Sequence, residues 1–170
     1  MNLSTLFKIT YGMYIVSSKN GDKINAQLSN TVVQITPEPP TMLISVSKNN
    51  LTHEFIEKSG VFTISIISDI CEMKDIGQFG FRTGRDYDKF EMCNYKLGKN
   101  GAPIILDKTL GYVECEVVNT MDCESHTVFI GKVTDTEILN PELEPMTYDY
   151  YFKTLKGKLS KNATHYQKPE

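Results

Sequence analysis

Apolar and polar residues alternate along most of this chain in runs of strand length. Tyr14 to Ser18 is a short extended run that ends in Lys19-Asn20-Gly21-Asp22. An Asn-Gly pair there predicts a hairpin turn, because both residues tolerate positive φ. Ile24 to Thr36 continues as a second extended stretch and stops at Pro37-Glu38-Pro39-Pro40, where a ladder loses its donors. Met42 to Ser47 alternates large and small residues and reads as a strand, as does Val61 to Ile67. Leu110 to Thr120 and Thr127 to Thr136 are strands rich in valine, with the polar stretch Met121 to His126 as their connection.

Two segments carry the helical period instead. Leu51, Phe55 and Ile56 fall on one face of Leu51 to Ser59, and Gly60 stands where a C-terminal cap belongs. Cys71 to Phe79 is a second candidate, and Gly80 to Lys89, rich in glycine and charge, predicts a mobile loop. Many strands and few helices imply a mostly β chain, a closed or nearly closed antiparallel barrel with helical insertions.

Composition narrows the function classes. A chain of 170 residues suits one domain, 1–170, with a sizeable core. Its apolar runs stay far below the roughly 20 residues of a membrane span. Met1 to Thr10 lacks the basic start and apolar stretch of a signal peptide, so a cytoplasmic location is the expectation. A net charge of −3 and a pI near 5.7 disfavour nucleic acid as the partner, because phosphate neutralisation needs clustered Lys and Arg. Cys71, Cys93, Cys115 and Cys123 form no CxxC pair, which argues against a zinc knuckle or an iron site and for reduced thiols. His53, His126 and His165 are too scattered to suggest a metal centre.

Three segments carry candidate chemistry. In Ser45-Val46-Ser47-Lys48-Asn49-Asn50-Leu51-Thr52 a strand gives way to a helix, whose first N–H groups and partial positive charge suit a phosphate. Lys48 adds a full charge, and Ser47, Asn50 and Thr52 add donors. An ordinary Asn cap beside a solvated lysine would have the same sequence. Asn25-Ala26-Gln27-Leu28-Ser29-Asn30-Thr31 offers hydrogen-bonding side chains for the edge of a planar heterocycle, or is a polar edge strand. Phe79-Gly80-Phe81-Arg82-Thr83-Gly84-Arg85-Asp86-Tyr87-Asp88-Lys89-Phe90 interleaves aromatics with cations, as a loop stacking on a ring would, or is a charged surface loop.

Taken in order, these segments resemble the flavin reductase-like family of FMN-binding split barrels. The likeness runs from Asn25–Thr31 through Pro39-Pro40, Ser45–Thr52, Ser59-Gly60-Val61-Phe62, Phe79-Gly80-Phe81, Gly84-Arg85-Asp86 and Asp88-Lys89-Phe90. It continues through Gly111–Cys115, His126, Ile130-Gly131-Lys132-Val133, Tyr150-Tyr151, Lys156-Gly157-Lys158 and Ala163-Thr164-His165-Tyr166. The tail is similar to the branch holding ferric reductases, flavoredoxin and the flavin module of high-molecular-weight rubredoxin.

The resemblance implies a Greek-key split β-barrel that forms a homodimer with bound FMN near the interface. It implies that Asn25, Gln27, Leu28, Ser29, Asn30 and Thr31 flank the ring and ribityl chain. Ser45, Val46, Ser47, Lys48, Asn50, Leu51 and Thr52 would line the phosphate end, and Phe81, Arg82 and Lys89 would close over the cofactor. His126 matches the histidine of a Gly-Asp-His turn in relatives, a candidate catalytic residue, although Glu124 and Ser125 precede it here. The implied activity is electron transfer from NAD(P)H through FMN to free flavin, ferric iron or a redox protein. Alternatives are a flavoredoxin-like carrier with no direct nicotinamide use, or a non-enzymatic flavin-binding module. Any rubredoxin partner would be a separate chain.

Overall fold

A computed structural model describes residues 1–158; the tail motif Ala163–Tyr166 and His165 lie outside them. After a 3-10 turn at Leu3–Lys8 come β1 (Tyr14–Asn20), β2 (Lys23–Ser29), β3 (Val32–Pro37), β4 (Pro40–Ser47), α1 (Leu51–Ser59) and β5 (Val61–Ile67). Then follow α2 (Met73–Gly80), β6 (Tyr95–Leu97), β7 (Pro103–Ile105), β8 (Thr109–Cys123), β9 (His126–Ile138) and α3 (Tyr148–Lys153).

Seven strands form one antiparallel sheet in the order β2-β1-β5-β8-β9-β4-β3. Its two edge strands are consecutive in the chain, joined by Asn30 and Thr31 alone. Laid flat, seven strands would hold those edges about 29 Å apart. Three Cα steps reach at most ~11 Å. The sheet therefore has to curl until its edges approach, which makes a barrel split between β2 and β3. Helix α1 crosses from β4 to β5, whose strands are separated by the β8–β9 hairpin, and packs on β1, β2 and β4.

Inside the barrel, Val16, Ile44, Val46, Phe62, Ile64, Cys115 and Phe129 close against Ile56 of α1. A Cβ on Gly131 would fall 2.5 Å from Phe62 Cζ, so glycine there admits the ring. A second core lies on the outer face of β1 and β2. Ile15 and Ala26 pack there against Ile76 and Phe79 of α2, Phe90, Ile105 of β7 and Tyr151 of α3. Strand β1 is thus covered on both faces, which explains its central run of buried residues. The small β6–β7 hairpin docks on the same outer face through side chains. Thr63 donates to the Pro103 carbonyl at 2.5 Å, and the Ile105 N–H donates to Ser65 Oγ at 3.0 Å.

Several sequence expectations are corrected by this topology. The stretch Ile24 to Thr36 breaks at Asn30-Thr31, because its halves belong to opposite edges of the sheet. The register puts Gly21-Asp22, not Asn20-Gly21, at the first hairpin tip, with φ of +59° at Gly21. Strands run right up to Pro37 and Pro40, which pair with each other, since β3 is an edge strand and can lose an N–H. Met121 to His126 is largely strand, and only Glu124-Ser125 turns. The second helix starts at Met73, where Glu72 and Asp75 form a reciprocal capping box. The β6–β7 hairpin and α3 are too short to stand out as patterns.

Candidate functional site

Strand alternation sorts the β2 segment. Asn25 and Gln27 face α1, whereas Ala26 and Leu28 belong to the outer core. Asn25 Nδ2 donates to Thr52 Oγ1 at 2.8 Å, and Asn50 Nδ2 donates to Gln27 Oε1 at 3.0 Å. The Ser45 N–H donates to the Thr31 carbonyl at 3.2 Å. Two segments some twenty residues apart in the chain are thereby stitched together at the split of the barrel. Ser29 and Asn30 are buried at the same place, and Thr31 Oγ1 lies 3.3 Å from Asn30 Oδ1.

The phosphate end is built from the close of β4 and the start of α1. Ser45 and Ser47 alternate with the core residues Ile44 and Val46 and so face away from the barrel interior. Asn50 occupies the N-cap position with extended backbone, yet its side chain makes no cap bond; its carboxamide goes to Gln27. The first-turn N–H groups of α1, starting at Leu51, are left without the side-chain partner that an Asn cap normally gives. Such a terminus carries a partial positive charge toward its open end. Lys48 stands just before it, ion-paired with Asp122 of β8, and the Lys48 N–H donates to the Ser125 carbonyl at 3.0 Å. The exposed Asp122 carboxyl is held below its ordinary range, first by that lysine and then by the Glu124 N–H. Thr52 is fully buried, so its hydroxyl serves Asn25 and positions the helix.

The loop after α2 forms a wall against β2 and α1. A Cβ on Gly84 would fall 2.0 Å from Asn25 Oδ1, so only glycine lets the loop lie against β2. Arg85 is ion-paired with Glu54 of α1, and Arg82 stacks over the Tyr87 ring at 4.1 Å. Phe81 is exposed. The Lys89 side chain runs inward, 4% exposed, and donates to the Ala26 carbonyl at 2.8 Å and the Phe79 carbonyl at 3.3 Å. Burial lowers its pKa to about 8. Between this wall, the β1–β2 turn and α1 lies an open groove of about 740 Å³, lined among others by Asn25, Leu51, Phe55 and Arg85.

His126 opens β9, paired across the strands with Ser47 and Cys123, with Nδ1 2.9 Å from Ser125 Oγ. The turn itself holds Glu124, and Asp122, just before it in β8, is engaged with Lys48. His53 lies in the helix that opens at the site and is passed over by sequence reasoning. It is buried in α1, with Nε2 2.7 Å from Thr127 Oγ1 of β9 and its ring edge-on to Phe129. Its spacing from Phe55 and Ile56 in an amphipathic helix is the only signal it gave. Burial, above all, lowers its pKa, against the raising effect of Glu57. The four cysteines are free. Burial pushes Cys71 up to about 11 and Cys93 and Cys115 up to about 12, which makes those three thiols poor nucleophiles. Among the described residues no group of His, Cys, Asp and Glu could hold a metal ion.

The fold is a split antiparallel barrel whose seam holds the start of α1, a helix terminus without a side-chain cap. Residues 6–156 match the flavin reductase like domain, and the chain belongs to that family. It is 46% identical over 163 residues to the high molecular weight rubredoxin of Moorella thermoacetica, covering 96% of this chain and 71% of that one. It is 36% identical to the ferric-chelate reductase (NAD(P)H) of Archaeoglobus fulgidus, with 98% of each chain covered. Among solved structures, a Streptomyces globisporus NADH:FAD oxidoreductase superposes with a TM-score of 0.75 at 22% identity over 84% of both chains. A flavin reductase complexed with NADP+ superposes with a TM-score of 0.75 at 20% identity, covering 85% of this chain and 89% of that one. These likenesses place the chain among flavin-dependent electron-transfer proteins with the split-barrel fold.

Proposed function

We propose that the protein is an FMN-dependent oxidoreductase that takes electrons from NAD(P)H and passes them to free flavin, a ferric complex or a redox protein. The observation that carries the FMN reading is the N-terminus of α1, whose cap residue bonds Gln27 through its side chain and leaves the Leu51 and Thr52 N–H groups for a phosphate, while the His53 N–H donates to the Asn50 carbonyl at 3.0 Å. Ser45, Ser47 and Lys48 stand beside it and fit a phosphomonoester. Bound flavin would supply the conversion between hydride and single-electron transfer. The residues of this chain supply placement. Gln27, Ser29 and Asn30 lie at the seam where donors and acceptors can meet a ring edge, and the loop wall fixes β2 behind them. Nicotinamide use is supported by the likeness to the ferric-chelate reductase, named for NAD(P)H.

A homodimer is part of the proposal. The sheet face opposite the barrel core carries Val33, Leu43, Ile130, Val128 and Met121 in one register-linked block, and Ser45 sits within it. Val33 and Met121 are more than half exposed, as suits a surface that a second copy covers. The unpaired cysteines support a cytoplasmic location.

The test is an anaerobic titration of the FMN-loaded protein. Bleaching of the flavin by NADH or NADPH is the expected result. A second reading, a protein-to-protein carrier, is favoured by the likeness to high molecular weight rubredoxin. Flavin that resists both nicotinamides but bleaches with reduced rubredoxin would select that carrier. Flavin that only dithionite reduces would leave a binding module, and protein that ignores FMN would refute the cofactor assignment.

A further inference from the structure

We propose that Lys89 is a positioning residue for the cofactor site: its buried ammonium ties β2 to α2 at Ala26, and so fixes the two neighbouring side chains that hold the start of α1. This rests on the FMN reading and gives Lys89, which the resemblance would have closing over the cofactor, the task of holding the β2 backbone instead.

The geometry runs in one connected line. Ala26 lies between Asn25 and Gln27 on an edge strand, where a carbonyl has no neighbouring strand to bond on its open side. Lys89 Nζ donates to that Ala26 carbonyl at 2.8 Å. The same ammonium donates to the Phe79 carbonyl at 3.3 Å in the last turn of α2, where the helix dipole favours a cation. Gln78 Nε2 donates in turn to the Lys89 carbonyl, so the strut is held at its own base. On the far face of β2, Asn25 holds Thr52 and Gln27 holds Asn50. Release of the Ala26 carbonyl frees the strand segment from which both side chains reach α1.

Charge makes the strut testable. The ionisable groups on the elements around Lys89 are Asp22 and Lys23 of the first hairpin, Glu54 of α1, Lys74 and Asp75 of α2, which are paired with Glu72 and Lys108, and Arg82, Arg85, Asp86, Tyr87 and Asp88 of its own loop. Glu54 is committed to Arg85, and burial is the sole cause of the lowered Lys89 pKa of about 8. A charged donor makes hydrogen bonds about twice as strong as a neutral amine does. The strut therefore weakens as pH rises through that value.

The experiment measures FMN affinity of the full chain by flavin fluorescence between about pH 7 and 9.5, with Lys89→Met and Lys89→Arg beside the parent. The parent is expected to lose affinity several-fold across that range. K89M is expected to bind about tenfold more weakly at neutral pH, the equivalent of ~1.4 kcal/mol, with a flat profile. K89R, charged throughout, is expected to stay close to the neutral-pH parent. If K89M does not fold, the parent and K89R profiles decide alone. Parallel profiles, or K89M binding as the parent does, would overturn the role of Lys89 while leaving the FMN reading intact. A parent that binds no FMN at any pH would overturn both.

Discussion

The bond between Asn25 and Thr52 offers the sharpest test of how the site is held. Thr52→Val replaces the hydroxyl with a methyl of nearly the same shape, so packing around the fully buried residue is kept. What is lost is the acceptor of the 2.8 Å bond, and the Asn25 amide, itself 3% exposed, is left without that partner. A buried donor left in that state costs about 1–3 kcal/mol. In a chain of this size each kcal/mol moves Tm by about 2–4 °C. Asn25→Ala should cost a similar amount, because it strands the other half of the same bond. Since both variants remove one interaction, the double variant should cost less than the sum by about 1–2 kcal/mol. Urea unfolding of the four proteins measures this coupling, and FMN titration should show all three variants weakened. Single effects that add to within ~0.5 kcal/mol would mean the two residues act independently. The account of a stitched seam would then be wrong.

Three further outcomes follow from the same geometry. Gly84→Ala should weaken FMN binding, because its Cβ would displace Asn25, whereas Gly60→Ala, at φ +69° with open space around it, should cost about 1 kcal/mol of stability and leave FMN affinity unchanged; thermal melts and FMN titrations on both separate the two effects. Lys48→Ala should weaken FMN more than riboflavin, which lacks the phosphate. Its effect on unfolding should be small, because the pair with Asp122 is exposed and such pairs contribute ~0–1 kcal/mol; equal loss for both flavins would remove Lys48 from the phosphate site. His53 has its pKa lowered in the fold, so the unfolded chain takes up its proton first as pH falls below about 6.5 and stability drops from there downward. Melting curves between about pH 7.5 and 5 should show that slope in the parent and a shallower one in His53→Gln.

What the sequence determined by itself were the features that depend on near neighbours in the chain. Helix α1 follows from its own period and from Gly60, which takes the left-handed cap conformation at φ +69°. Strand β5 runs from Val61 to Ile67 as the pattern predicts. The polar run of β2 and the helix start after Ser47 were legible as candidate chemistry because both are local in sequence.

Only the tertiary structure decided what those candidates touch. It turned Leu28 and Val46 into the two cores and Asn25 and Gln27 onto α1. It aimed Lys89 inward at two backbone carbonyls and committed Lys48 to an aspartate 74 positions away. It broke Ile24 to Thr36 in two, because closing the barrel sends its halves to opposite edges of one sheet. The physical reason is common to all of these. A side chain's type and spacing set which interactions it can make. The partner it meets depends on strand order and on which face of the sheet each residue occupies, and closure of the barrel settles both.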